Sequence, residues 1–426
     1  MWFLATLVMV ITLQPLVYGG AVVFGQPSGT AGPYLRKLSK STAVQPSDEI
    51  RALWVVRDAL TTPEAIDRCI DLAVQSRFHI LFVQIRGRGD AWYNSSLEPH
   101  ALDLRYPIQD FDPLLYVLTR AKAEGIEVHA WINVFFVWSN GQITPPEGHV
   151  VGAHPEWLES NSAGTRMDGR PVDDWKAEGI EGYYISPFSA PAREHIVAVV
   201  RDLVDHYPVD GIHLDYVRFP GADYGYGVDV RTRFELEWGI DPADLHNDFA
   251  SVSSVVGAGA AAVLDSLWTE RRVQQVDSVV VAIRAVIGDL PLSAAVVPEP
   301  ETARAIKGQD WTAWIRNRWV DFVVPMAYNH RPEDLLDWVR IVHKTVGRER
   351  LLVGLAIYGG RDAWVDRSIN ILRVEGVSGF SVFSYNVLAE MRFPAGFVEG
   401  MFFAGGRPGD EESPPVDEGE KAADDE

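Results

Sequence analysis

A chain of 426 residues, 47% of them hydrophobic, has room for one large domain or two average ones and can bury a sizeable core, which excludes disorder for its bulk. Its 59 acidic residues against 38 Lys and Arg leave a formal charge of −21. That balance argues against a nucleic-acid partner, whose phosphates are bound by cations.

Residues Trp2 to Val17 are nearly all apolar and are followed by Gly19, Gly20 and Ala21, the pattern of a secretory signal peptide. No Lys or Arg precedes the apolar run, so a membrane anchor is the alternative for residues 1–25, although about 16 apolar residues fall short of the roughly 20 that span a bilayer. Export to a periplasmic, cell-envelope or extracellular site is expected, with membrane association open through this segment. Residues 26–48 read as a linker. At the other end, residues 405–426 read as an acidic disordered tail: from Asp410 onward, acids accumulate against the single Lys421 and no aromatic residue is present.

Between these ends, short apolar runs rich in Val, Ile and aromatics alternate with helical patterns, as in parallel βα units. Strands are predicted near Ala52–Arg57, Ile80–Arg86, Glu127–Phe135, Gly211–Tyr216, Leu292–Val297, Phe322–Tyr328, Leu352–Tyr358 and Gly379–Tyr385. Helices start at Thr62-Pro63, with Ile66, Ile70, Ala73 and Val74 on one face, at Asp112-Pro113, and at Ser189 with Pro191. Cys69, the one cysteine, falls in the first helix as buried core and excludes disulfides and thiol-rich metal sites. Eight strands with intervening helices predict an α/β fold, a (β/α)8 TIM barrel over residues 49–404. No dinucleotide glycine fingerprint follows the first strand, which weakens an open doubly wound sheet as the alternative. Neither cofactor nor metal is expected.

Two connections are much longer than usual βα loops. They run from Val137 to Ile185 after the third strand and from Arg218 to about Gly288 after the fourth. Loops there belong to the catalytic face of a barrel, and Trp138, Trp157, Trp175, Tyr183, Tyr184, Tyr224, Tyr226, Trp238 and Trp268 are available either to stack on sugars or to pack the loops down.

The segment Tyr207 to Pro220 carries the strongest signal. Alternation along the strand puts His213 and Asp215 on one face, and Asp215 at the C-terminal end, where barrel active sites lie. Arg86, Trp131, Asn133, Tyr328, Asn329, Tyr358 and Tyr385 are expected at the same mouth as substrate-binding groups beside His213. Glycoside hydrolysis uses two carboxyl groups, one protonating the leaving oxygen and one attacking or activating water. Asp215 supplies one; Glu299, in Val297-Pro298-Glu299-Pro300, is the expected second, with Glu301, Asp90 and Asp223 in reserve. The alternatives are a metal-dependent hydrolase with His213, Asp215 and His129 as ligands, and a non-catalytic saccharide-binding barrel.

The chain resembles the glycosyl hydrolase-like 10 family. The resemblance is carried in order by Glu49 to Val55, Phe82-Val-Gln-Ile-Arg86 with Ala91-Trp-Tyr93, Tyr106 to Leu115, Val128-His-Ala-Trp-Ile-Asn133, Tyr207 to Phe219, Asp321 to Tyr328 and Leu352 to Tyr358. It implies a TIM-like barrel, hydrolysis of a carbohydrate polymer such as peptidoglycan glycan strands, and Asp215 at the acidic position of the fourth strand. Tyr216 stands where family members often carry a second Asp.

Overall fold

The computed structural model describes residues 49–101, 111–359 and 362–391; the expectations for the N-terminal segment, the linker and the acidic tail lie outside them. All eight expected strands form. They are β1 (Ile50–Val55), β2 (Ile80–Arg86), β3 (Glu127–Asn133), β6 (Gly211–Asp215), β7 (Leu292–Val296), β8 (Phe322–Pro325), β9 (Leu352–Ala356) and β10 (Gly379–Phe383), with a two-stranded antiparallel ribbon, β4 (Phe136–Trp138) and β5 (Tyr183–Tyr184), inserted after the third barrel strand. The eight pair in the order β8-β7-β6-β3-β2-β1-β10-β9, all parallel. Isolated parallel bridges Val323 to Leu351 and Met326 to Gly354 join the two ends of this order, so the barrel is nearly closed.

The helices start where their capping residues say they should. Thr62, Asp112 and Ser189 each accept a hydrogen bond from the backbone N–H three residues on, with proline in the first turn. Helix Pro63–Gln75 buries Ile66, Cys69, Ile70 and Ala73 against the barrel, whereas Val74 turns out to solvent at the edge of that face. Helix Ala190–His206 buries Ile196, Val199, Val200 and Leu203.

The chain builds three apolar clusters. One lies between strands and helices; a second, with Trp54, Phe82, Trp131, Phe322 and Leu352, fills the barrel interior. The third belongs to the insertion after β6. That stretch folds mainly as helices, ending in the thirty-residue Ala258–Ile287, with Tyr226, Phe234 and Trp268 packed among them. Most loop aromatics are thus spent on packing: Trp175, Tyr184, Tyr224, Tyr226 and Trp268 are buried, while Trp238 is exposed and Trp157 and Tyr183 are half-buried.

Candidate active site at the barrel mouth

The β3–β6 register sets Trp131 opposite His213 and Asn133 opposite Asp215, so the two strands deliver their polar side chains in layers. His213 occupies the lower layer. Its Nε2 accepts from the Trp54 indole at 3.1 Å, which leaves the proton on Nδ1, donated to Ser293 Oγ at 2.9 Å, and its ring stacks on Phe82 at 3.9 Å. Burial, and next the charge of His129, lower its pKa well below the usual histidine value. A neutral imidazole with both nitrogens engaged is a packed interior group. It is available neither to bind substrate nor to ligate a metal, which corrects that expectation.

Asp215 lies one layer higher. It is 6% exposed, and its Oδ1 accepts the Tyr216 N–H at 2.7 Å. Burial pushes its pKa up to about 6; Arg218, the Tyr216 N–H and a hydrogen bond from the Trp131 side chain oppose the rise, and the Glu181 charge adds to it. The Arg218 guanidinium does not close on Asp215. It lies 4.9 Å over the Tyr216 ring and pairs with Glu181 at 3.3 Å. The carboxyl therefore keeps its proton into the range where an acid catalyst operates.

Tyr216 itself holds φ +48, a left-handed conformation that is an outlier for an aromatic residue. Its ring is stacked on Phe136 of β4 at 4.8 Å and meets Tyr184 of β5 edge-on at 5.9 Å. The ribbon thus clamps the residue that follows the fourth barrel strand.

Other expected residues do gather here. Asn133 accepts from the Trp131 indole at 3.0 Å and donates to the Gly87 carbonyl at 2.8 Å. Tyr328 packs on Trp54 and Phe383 and, at 6.3 Å, on Tyr358, which is 37% exposed. Burial first, then the Asp215 charge, raises the Tyr328 hydroxyl pKa far above normal, so it stays a neutral donor. Asn329 is exposed on the same turn.

Three further expected residues are, like His213, placed otherwise. Arg86 is turned away because the β2–β3 register shifts between Gln84 and Arg86, which breaks the two-residue alternation. Gln84 therefore keeps the mouth side, and the fully buried Arg86 forks onto Glu98 at 2.7–2.9 Å and reaches the Asn133 carbonyl. Tyr385 is turned away because β10 ends at Phe383 and a helix begins at Tyr385; its hydroxyl feels burial and then Cys69 of the outer helix layer. Glu299 is half-exposed just before helix Pro300–Lys307 and pairs with His330 at 3.2 Å. Of the reserves, Asp90 accepts the Arg88 N–H at 2.9 Å, Asp223 bonds Ser162 and pairs with His246 at 3.3 Å, and Glu301 lies exposed in the first turn of that helix.

Two mouth residues had no place in the sequence reading. Phe383, in contact with Trp54, Trp131, Tyr328 and Tyr358, shares the alternating face of β10 with Ser381, so strand alternation carries its signal. Glu181 had no such signal, since it lies in the irregular insertion between β4 and β5.

The family described as Glycosyl hydrolase-like 10 matches residues 49–358. The chain is similar to glycosyl hydrolase YngK of Bacillus subtilis (strain 168), 25% identical over 214 residues, 46% of this chain and 38% of that one. It is also similar to glycosyl hydrolase DigH of Escherichia coli (strain K12), 27% identical over 148 residues, 33% of this chain and 32% of that one. The match thus spans about a third of the length of those relatives. The fold is shared with the glycoside hydrolase domain of PgaB (BpsB) from Bordetella bronchiseptica, at TM-score 0.59 and 16% identity over 83% of this chain and 99% of that one. It is shared too with the β-amylase catalytic domain of Paenibacillus polymyxa, at TM-score 0.56 and 12% identity over 84% and 98%.

Proposed function

Because the chain belongs to the glycosyl hydrolase-like 10 family, we propose that it hydrolyses O-glycosidic bonds in a polysaccharide, with Asp215 donating the proton to the leaving oxygen. The observation that carries this reading is the state of Asp215. It sits at the C-terminal end of a barrel strand, buried, with its pKa raised to about 6. A structural aspartate buried there would be expected to recruit the nearby arginine; this one does not. Around it, Trp131, Asn133, Tyr328, Tyr358 and Phe383 supply aromatic faces and hydrogen-bonding groups suited to a sugar ring.

Peptidoglycan glycan strands are the first polymer to test. The family resemblance supports that choice, as does the apolar Trp2–Val17 segment, which fits export to the cell envelope. No helix among the described residues is long and apolar enough to cross a membrane.

The test is incubation of the purified protein with a panel of glycans, including intact and peptide-stripped peptidoglycan, scoring new reducing ends. Wild type releases them and Asp215→Asn, still folded, loses about 10³-fold or more of that activity. Glycan binding without release, the same in both proteins, would instead identify a saccharide-binding barrel.

A further inference from the structure

Glu181 follows β4 by a long excursion of chain and precedes β5 by one residue. Gly182 between them is required: a Cβ there would lie 2.0 Å from the Trp138 carbonyl oxygen, so the ribbon closes only without a side chain at that position. Closure brings Glu181 to Arg218, whose Nη2 donates to Oε1 at 3.3 Å, while the Tyr184 hydroxyl donates to Oε2 at 2.8 Å. Both carboxylate oxygens are thereby oriented. From Arg218 the contacts continue to the Tyr216 ring at 4.9 Å, and from the Tyr216 N–H to Asp215 at 2.7 Å. Two carboxyl groups thus share one rim of the barrel. They differ in solvation, since the Glu181 side chain is 38% exposed and Asp215 is enclosed.

We propose that Glu181 is the second carboxylate of the site, the base that activates the attacking water; this rests on the glycosidase reading of Asp215. In the step, the water oxygen bonds to the anomeric carbon and one water proton passes to Glu181. The bond from that carbon to the leaving sugar breaks, and the leaving oxygen takes the Asp215 proton. Solvent access suits Glu181 to the water side and enclosure suits Asp215 to the acid side. The mutual effect of the two groups agrees with this division, because the Glu181 charge favours the proton on Asp215. Glu299 is the rival, but its partner His330 lies outside the Arg218–Tyr216 contacts that lead from Glu181 to Asp215.

The test compares kcat and KM on one glycan for wild type, Glu181→Gln, Glu299→Gln and Asp215→Asn, with and without azide. The expected result for Glu181→Gln is a kcat about 10³-fold lower with KM changed by no more than a few-fold. Azide, a nucleophile that needs no deprotonation, restores turnover and yields a glycosyl azide. The loss in Glu299→Gln is at least tenfold smaller, on the same order-of-magnitude scale for general catalysis. Wild-type kcat in Glu181→Gln, or azide rescue of Glu299→Gln alone, overturns the assignment. If Asp215→Asn is inactive while Glu181→Gln is active, only this inference falls; if Asp215→Asn is active, the glycosidase reading falls with it. A readout independent of substrate is the Asp215 titration midpoint, which moves down in Glu181→Gln; an unmoved midpoint refutes the coupling.

Discussion

Glu98 and Asp215 are both buried carboxyl groups held near the C-terminal ends of barrel strands, and their partners leave them in opposite states. Burial alone would raise Glu98, but the forked Arg86 guanidinium and His195, at 3.3 Å, more than offset it and hold its pKa at about 2. Asp215 has an arginine within electrostatic reach as well, yet Arg218 is committed to Glu181, and burial prevails at about 6. Glu98 is neutralised in place by its arginine, whereas Asp215 is left partly uncompensated, the state that the proposed acid role requires.

The comparison can be broken most severely from the Glu98 side. Arg86→Met leaves an ionised carboxylate buried with only His195 beside it, and is expected to destabilise the fold by about 3–5 kcal/mol in denaturant unfolding. Unchanged stability would mean that Glu98 is not a structural anchor.

The next effect has the opposite sign. Asp215→Asn removes a buried charge with no ion-pair partner, and at pH 7 it is expected to stabilise the protein by about 2–3 kcal/mol. The folded state holds the Asp215 proton at pH values where the unfolded chain, with its carboxyl at 3.8, has released it. Stability therefore falls as pH rises from about 4 to about 6, and the advantage of the mutant shrinks to nothing below that window. Glu98 runs the other way. Its contribution is present above about pH 4.5 and is lost as pH falls toward 2. Thermal unfolding of wild type, Asp215→Asn and Arg86→Met across pH 3–7 separates the two slopes.

Local chemistry made the barrel legible in the sequence. Thr62, Asp112 and Ser189 mark helix starts, and each apolar run between turns becomes a strand. Asp215 was legible for the same reason, since a strand with period two and a known direction fixes which end a side chain occupies. The reading failed where periodicity stops. The register shift at Gln84/Arg86 reverses Arg86, and the helix beginning at Tyr385 takes that ring out of the mouth. Glu181 reaches the rim through the ribbon closed at Gly182 and Trp138, a tertiary contact with no periodic trace. Whether an aromatic in a long loop stacks on ligand or packs inward is equally unmarked, and for Tyr226 and Trp268 the helical insertion decided it.

The most direct test of the central claim is titration of the Asp215 carboxyl itself, by carbon-13 NMR of the selectively labelled full chain with Asp215→Asn to assign the signal. A midpoint near 6 is the predicted result. A midpoint at or below the ordinary aspartate value of about 4 would show an ionised, compensated carboxylate and would contradict the assignment of Asp215 as the proton donor.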